Sequence, residues 1–569
     1  MAYTLGFDFG TLSARCLLVD MADGRECALK EYVYPHAVME SALPNGRSLA
    51  RDWALQHPKD YLYALKLAED VLKEANVKAH EICGIGIVFT ACTMLPVNRY
   101  NEPLCLQKEF ENEPNAWVKL WKHHSAQAYA DRLNEIAWKR GEPFIKIYGG
   151  KLSSEWLFPK IFETLDLAPK VYESTFAFVE ACDWLIGQMC GRLVRNNAAA
   201  SAKGCWNKRY GYPSGEYLFA VDPRLAAMPA EKLEPVSVAM VGTSAGRLTE
   251  SAAAWMGLVP GVAVAVGHMD GHGSTVGAGI IQPGRTLFTM GTSSCNLIMT
   301  NKRIEVPGIT GALDDIIVPG YVGSEAGQSG FGDHYAWFIN KAVPHDYSAK
   351  AQEMGIGIYQ YLADLCKDKL PGETGLLALD WWNGNRSILN NANLSGLMLG
   401  LKLTTKPEDI YCALVEATAF GNRVVLENYE AHGVAIKSIV AVGGIANKDA
   451  FLMQVFADIT GMELTLPASK TVPALSAAVW GAIAAGTDAG GCDDLPQAVR
   501  TMVKPDRKTY RPNAKAHRDY EMLFQEYKRL YDYFGSGQND VMLRLTSYSK
   551  AQEKRRFEGN EHGNEKSFF

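Results

Sequence analysis

Several features are missing from this chain of 569 residues, and each absence closes a class of function. Its 12 cysteines include no C-x-x-C pair, so neither structural zinc nor a disulfide framework has its usual spacing. Reduced thiols in a cytoplasmic enzyme are the expectation instead. There is no excess of positive charge. The formal net charge of −6 leaves no electrostatic case for nucleic acid or an anionic membrane as the main partner. No uncharged apolar run reaches ~18 residues, the length a membrane-crossing helix needs. No basic stretch precedes the first apolar run, and Asp8 interrupts it, so no signal peptide is expected. The sequence G-x-x-x-x-G-K-[ST] is absent, which excludes a P-loop nucleotide site. What remains is an ordinary globular composition, 47% hydrophobic and 21% charged, in a chain too long for one core.

The opening reads as three antiparallel strands. Thr4 to Phe9 is followed by the turn Gly10-Thr11-Leu12-Ser13, a second strand to Asp20, a hairpin turn at Asp23-Gly24 and a third strand from Cys27 to Tyr34. An amphipathic helix follows, with Tyr61, Leu65, Ala68, Val71, Leu72 and Ala75 at helical spacing. Ile82 to Phe89 is then a buried strand ending in Thr90-Ala91-Cys92-Thr93. A dinucleotide-binding fold would place a helix after its first strand. Three strands, a helix and a strand match the core of the actin/hexokinase-type (ribonuclease H-like) ATPases, an α/β class.

Two further stretches extend that reading. Thr286 to Met290, the turn Gly291-Thr292-Ser293-Ser294 and Cys295 to Met299 repeat the opening pattern of strand, Gly-Thr-x-Ser and strand. The repeat implies two lobes with a duplicated core, whose facing turns can hold a polyphosphate through backbone N–H and hydroxyl donors. Gly-Thr-x-Ser is also good hairpin chemistry, and the pairing is what favours the phosphate reading. Gly443-Gly444-Ile445-Ala446-Asn447 ends another apolar strand and opens a helix from Asp449 to Thr460, leaving room for a flat ring and an anion.

The centre of the chemistry is Gly267-His268-Met269-Asp270-Gly271-His272-Gly273, after the apolar run Val262 to Val266. An acid among glycines at a strand end suits a general base that a bulky substrate approaches closely. His268 and His272 have the i, i+4 spacing of zinc ligands, but the glycines between them make a poor zinc helix. Asp8-Phe9-Gly10 looks like a protein-kinase metal motif without the catalytic-loop signature that should accompany it. Trp121, Trp156, Trp184 and Trp206 read by default as core or interface residues.

With these residues in view, the chain resembles the FGGY carbohydrate kinases from its first strand to about Gly535. The family features are Asp8-Phe9-Gly10-Thr11, Met290-Gly291-Thr292-Ser293, Gly443-Gly444-Ile445, and the region from Leu397-Met398-Leu399-Gly400-Leu401 to Ala413-Leu414-Val415-Glu416. Segments resembling the members that act on L-ribulose include Ser153-Ser154-Glu155-Trp156, Cys182-Asp183-Trp184, Glu325-Ala326-Gly327-Gln328-Ser329 and Asp380-Trp381-Trp382-Asn383-Gly384. The resemblance implies ATP-dependent phosphorylation of L-ribulose to its 5-phosphate, in arabinose breakdown. It implies Asp270 as catalytic base, and Ala91, Lys203, Asp270 and Glu325 around the sugar. It implies Gly10, Thr11, Ser13, Gly291, Thr292, Gly443, Gly444 and Asn447 around ATP, with Asp8 holding Mg2+ through water.

Two departures stand out: Leu12 and Val88 occupy positions where such kinases often carry Asp. The alternatives are therefore a sibling kinase for D-ribulose, xylulose or a pentitol, and a non-catalytic sugar-sensing protein on the same fold. The lobes are expected at 1–279, with an insertion at about 101–150, and at 280–535. A charged, disordered tail is expected over 536–569. The partners expected are a sugar and ATP, with no nucleic acid and no membrane, in a cytoplasmic protein expected as a homodimer.

Overall fold

The computed structural model describes residues 2–564, and in the last helix it describes side chains at 541–552 and 555. The opening strand, Tyr3–Phe9, is buried along its whole length. It runs antiparallel to Ser13–Asp20 and parallel to Ile82–Phe89. Both neighbours are apolar runs, as expected of strands covered on both faces. Glu26–Val33 closes one edge, and Ala263–Ala265 and Ser244–Arg247 extend the other. Exposed residues alternate with half-buried ones along most of Glu26–Val33, the pattern of an edge strand with one wet face.

A second sheet repeats this plan. Arg285–Met290 runs antiparallel to Ser294–Thr300, which runs antiparallel to Val322–Ala326. On its other side Arg285–Met290 runs parallel to Ser438–Val442, and that strand runs parallel to Glu463–Leu466. An antiparallel meander followed by parallel strands is thus built twice. The internal echo in the sequence corresponds to a repeated topology.

The helices Asp270–Gly277 and Val472–Ala485 pack on each other between the sheets. The second of these lies directly on Tyr3–Phe9 and Ile82–Phe89, close enough to dictate glycine in both strands. A Cβ on Gly6 would stand 1.9 Å from the Ala474 carbonyl oxygen, and one on Gly86 1.9 Å from that of Ala477. Such distances are far inside contact, so any side chain there would force the helix off the sheet. Ser476 Oγ donates to the Gly273 carbonyl and ties the two helices together.

Some local expectations change. The helix read through Tyr61 and Ala75 is two helices, Pro58–Ala64 and Leu67–Ala75. Leu65 and Lys66 between them donate to Leu62 and Tyr63, so a tighter i+3 turn interrupts the ladder. The segment after Gly535 carries the helix Val541–Asn564, with Met542 buried in the second core. Charge alone pointed there to a disordered tail, which overlooked this apolar anchor. Residues 565–569 of that expected tail lie outside the described residues. Among the described residues no helix is long and apolar enough to cross a membrane.

Candidate active site

Three adjacent strand ends build the floor of the site. Asp8 and His268 pair with Val88 from opposite sides of the strand Ile82–Phe89, which spaces their backbones about 10 Å apart. Two residues past His268 the chain turns into a helix whose first residue is Asp270. Its Oδ1 accepts from the Gly271 N–H at 2.7 Å, and Ser274 Oγ donates to its carbonyl at 2.6 Å. Burial, and then the nearby Asp8 charge, push the Asp270 carboxyl up to about 7. Asp8 is itself raised to about 6 by burial, against the pull of Arg15, whose guanidinium lies 3.7 Å away. A carboxylate whose charge raises the proton affinity of its neighbour, as Asp8 does for Asp270, favours a cation nearby. This donor set of oxygens fits magnesium, which binds carboxylates and keeps several waters.

The first glycine turn is braced from outside. Gly10 N–H closes it on the Ser13 carbonyl at 2.9 Å. Thr11 Oγ1 accepts from Trp121 Nε1 at 3.0 Å, which leaves the Thr11 hydroxyl proton free to point into the cleft. Ser13 differs, because its hydroxyl donates to Glu31 at 2.7 Å. Leu12 is 57% exposed at the tip. In the second sheet, Gly291 N–H donates to the Ser293 carbonyl at 3.1 Å. The Thr292 carbonyl accepts from Phe331 N–H at 3.0 Å. Gly443 lies against this turn with φ of +114°, where a Cβ would stand 2.3 Å from the Met290 carbonyl oxygen. Gly444 opens the short helix Gly444–Lys448. Asn447 Oδ1 is held by Arg507.

Within reach of Asp270 sits a charge cluster. Lys203 Nζ reaches Glu325 Oε1 at 3.0 Å, and Arg386 reaches the same oxygen at 2.8 Å. His272 Nε2 faces Glu325 Oε2 at 3.5 Å and has no hydrogen-bond partner. Burial works against the Glu325 charge, but the Lys203 and Arg386 charges hold its carboxyl well below the ordinary range. Burial pushes His272 down to about 3, so its ring is neutral. The Lys203 charge also acts on Asp270 and on Cys92, next to Ala91. The structure therefore brings Ala91, Lys203, Asp270 and Glu325 into one neighbourhood.

Residue spacing alone missed several of these groups. Arg386 joins the cluster from a segment that carried no motif of its own, and His272, visible beside Asp270 in the sequence, turns out to face Glu325. Lys160 is buried and donates to the carbonyls of Cys92 and Leu120, each at 2.7 Å, linking the strand end beside Ala91 to the residue before Trp121. A buried Lys would have been the signal, and sequence does not show burial. His268 is no zinc ligand here. Its Nε2 lies 3.0 Å from the Ile317 carbonyl, and its Nδ1 accepts from Met269 N–H at 2.8 Å.

Residues 286–485 match the C-terminal domain of the FGGY family of carbohydrate kinases. A protein of Geobacillus thermodenitrificans named ribulokinase is 46% identical over 550 residues, spanning 96% of this chain and 97% of its own. One of the same name from Bacillus licheniformis is 47% identical over 543 residues, spanning 95% and 98%. The chain belongs to the FGGY family of carbohydrate kinases. Like other FGGY kinases it is an ATP-dependent sugar kinase. The fold agrees: the xylulose kinase of Rhodospirillum rubrum superposes with a TM-score of 0.75 at 20% identity, covering 93% of this chain and 98% of that one.

Proposed function

We propose that this FGGY kinase phosphorylates L-ribulose to L-ribulose 5-phosphate, with Asp270 as general base. The observation that carries the base assignment is Asp270 itself. It is a carboxylate at a helix start, raised to about 7 and near enough to feel the charges of both Asp8 and Lys203. Its proton affinity is matched to neutral pH, which suits a base that takes a proton from a sugar hydroxyl. That hydroxyl oxygen then bonds to the γ-phosphorus as the bond from phosphorus to the β-γ bridging oxygen breaks, and ADP leaves with those electrons. Glu325 and Lys203 accept from and donate to the sugar hydroxyls, and Ala91 leaves room for the sugar chain.

Thr11 and Thr292 offer hydroxyl and backbone donors to the phosphates, while Gly10 and Gly291, whose N–H groups close the turns, let the phosphates approach the backbone closely. Gly443 and Gly444 give the adenine a flat approach, with Asn447 at its edge. Ser13 supports the first turn through Glu31 and offers its backbone to the phosphates. Asp8 would hold Mg2+ through water, and the ion would neutralise charge on the β- and γ-phosphates. The same reading takes the chain as two lobes, about 1–279 and 280–535, closing over the cleft. A cytoplasmic setting is supported by twelve free thiols, and a homodimer is tested by light scattering.

The names of the two relatives support ribulose, and Val88 marks where preference can differ. Its Cγ1 would meet a Cβ on Gly273 at 3.0 Å, so an apolar residue there packs under the base-bearing helix. The test is ADP release with Mg-ATP across L-ribulose, D-ribulose, D- and L-xylulose and ribitol. Highest kcat/KM on L-ribulose supports the proposal. Another leading sugar transfers the assignment to that substrate, and no turnover on any of them rejects it.

A further inference from the structure

Among the described residues one three-residue cluster of metal-ligating side chains stands apart from the sugar and phosphate chemistry. His36, His57 and Asp60 each offer one ligand atom, and these atoms all lie within 4.8 Å of one another. The two imidazole rings are stacked, with centroids 4.2 Å apart and planes at 26°. His36 Nδ1 is 2.7 Å from Asp60 Oδ1. His57 Nδ1 accepts from the Lys59 N–H at 3.2 Å and caps the helix Pro58–Ala64, which leaves its Nε2 for another partner. Trp117 closes one side of the His57 ring edge-on at 5.1 Å. His36 is 38% exposed, while Asp60 is almost fully buried, so the cluster has a dry floor and an open mouth.

Burial, followed by the neighbouring His36, pushes the His57 imidazole down to about 4. At neutral pH that ring is unprotonated and able to ligate. Imidazole nitrogens with one carboxylate suit zinc and its neighbours in the first row. Magnesium prefers an all-oxygen shell.

We propose that His36, His57 and Asp60 form a binding site for a late first-row divalent cation of the zinc type, with water completing the shell. On binding, the proton between His36 Nδ1 and Asp60 is exchanged through solvent to His36 Nε2, so that His36 stays a neutral imidazole and both Nδ1 and the Asp60 oxygen turn their lone pairs to the ion. The ion would fasten together two segments that brace the first glycine turn. Tyr34, two residues before His36, donates its N–H to the Leu12 carbonyl at 2.9 Å. Gln56, directly before His57, donates to the Thr11 carbonyl at 2.7 Å.

The test is equilibrium dialysis of the full chain against Zn2+ with magnesium in excess, together with the visible spectrum of the Co2+ form. His57→Asn removes the imidazole while keeping a good helix cap, and Asp60→Asn removes the carboxylate. Asp8→Asn controls for binding in the catalytic cleft. The expected result is one equivalent of Zn2+, with affinity about tenfold or more lower in His57→Asn and in Asp60→Asn and unchanged in Asp8→Asn. The Co2+ form should show nitrogen ligation that His57→Asn abolishes. Equal retention of zinc by the wild type and His57→Asn, loss of binding in Asp8→Asn alone, or no binding at all would overturn the site. Circular dichroism of the metal-free variants confirms that they fold.

Discussion

Arg386 donates to Glu325 through Oε1 at 2.8 Å, the same oxygen that Lys203 reaches at 3.0 Å. Two cations on one oxygen leave Oε2 turned toward His272 and available to a hydroxyl. Arg386 thus sets the orientation of a carboxylate proposed to bind the sugar. Arg386→Ala should raise KM for the sugar about tenfold while changing kcat less, because it loosens binding more than chemistry. Steady-state kinetics with each substrate varied separately would check this. A change confined to KM for ATP would count against it.

Asp270→Asn keeps the size of the side chain and removes the base. A drop in kcat of about 10²-fold or more is expected, with nucleotide affinity nearly intact. Calorimetric titration with a non-hydrolysable ATP analogue reads the second part. Near-normal turnover would take Asp270 out of the role of base.

The acid side of the pH profile carries the same residue. Asp270 must be ionised to take a proton, and in the free enzyme its carboxyl is raised to about 7 with Asp8 at about 6. kcat/KM should therefore fall as pH drops through the range from 7 to 6. The residual activity of Asp8→Asn should retain its level to lower pH, because the charge that lifts Asp270 is gone. A profile that is flat down to pH 5 contradicts this assignment.

Stability should respond with the opposite sense to activity. The folded-state carboxyl of Asp270 lies at about 7 against an ordinary 3.8, so the folded protein holds that proton more tightly than the unfolded chain. Its contribution is fully present below about pH 4 and is lost as pH rises through 7. Asp270→Asn should accordingly melt higher than the wild type at pH 8, by about 1 °C or more, and the gap should close at pH 4. Calorimetry at the two pH values decides it.

The seam between sheet and helix makes a sharper demand. Gly86→Ala would put a methyl 1.9 Å from the Ala477 carbonyl oxygen, and neither backbone has a flexible end to yield. A loss of about 3 kcal/mol or more is expected, at the severe end of overpacking. Gly46→Ala meets nothing within 4 Å, although φ there is +87°, so its cost should stay near 1 kcal/mol. Denaturant melts of the pair would show whether close approach outweighs backbone strain.

The elements that were legible in sequence were those written in local pattern. Ile82–Phe89 and the paired Gly-Thr-x-Ser turns carry their signal within ten residues, and the repeat between halves made the duplicated topology readable. Asp270 was visible because glycines surround it. Arg386 was not, because its meaning depends on Glu325, and only the fold brings those two together. Ser13 shows a subtler gap. Its place in the turn is evident, but the bond that directs its hydroxyl to Glu31 depends on strand register. The split at Leu65–Lys66 was hidden because the apolar spacing continues across it.

The helix Val472–Ala485 belongs to the second half of the chain and covers strands from the first ninety residues. As the polypeptide leaves the ribosome, the opening sheet therefore stays bare on one face until residue 485 has emerged. The glycines that admit this helix also leave a smooth apolar strip while it is awaited. The first lobe is thus a late finisher in synthesis, although it begins the chain. Truncations ending anywhere before that helix should yield chains that seek a chaperone or one another.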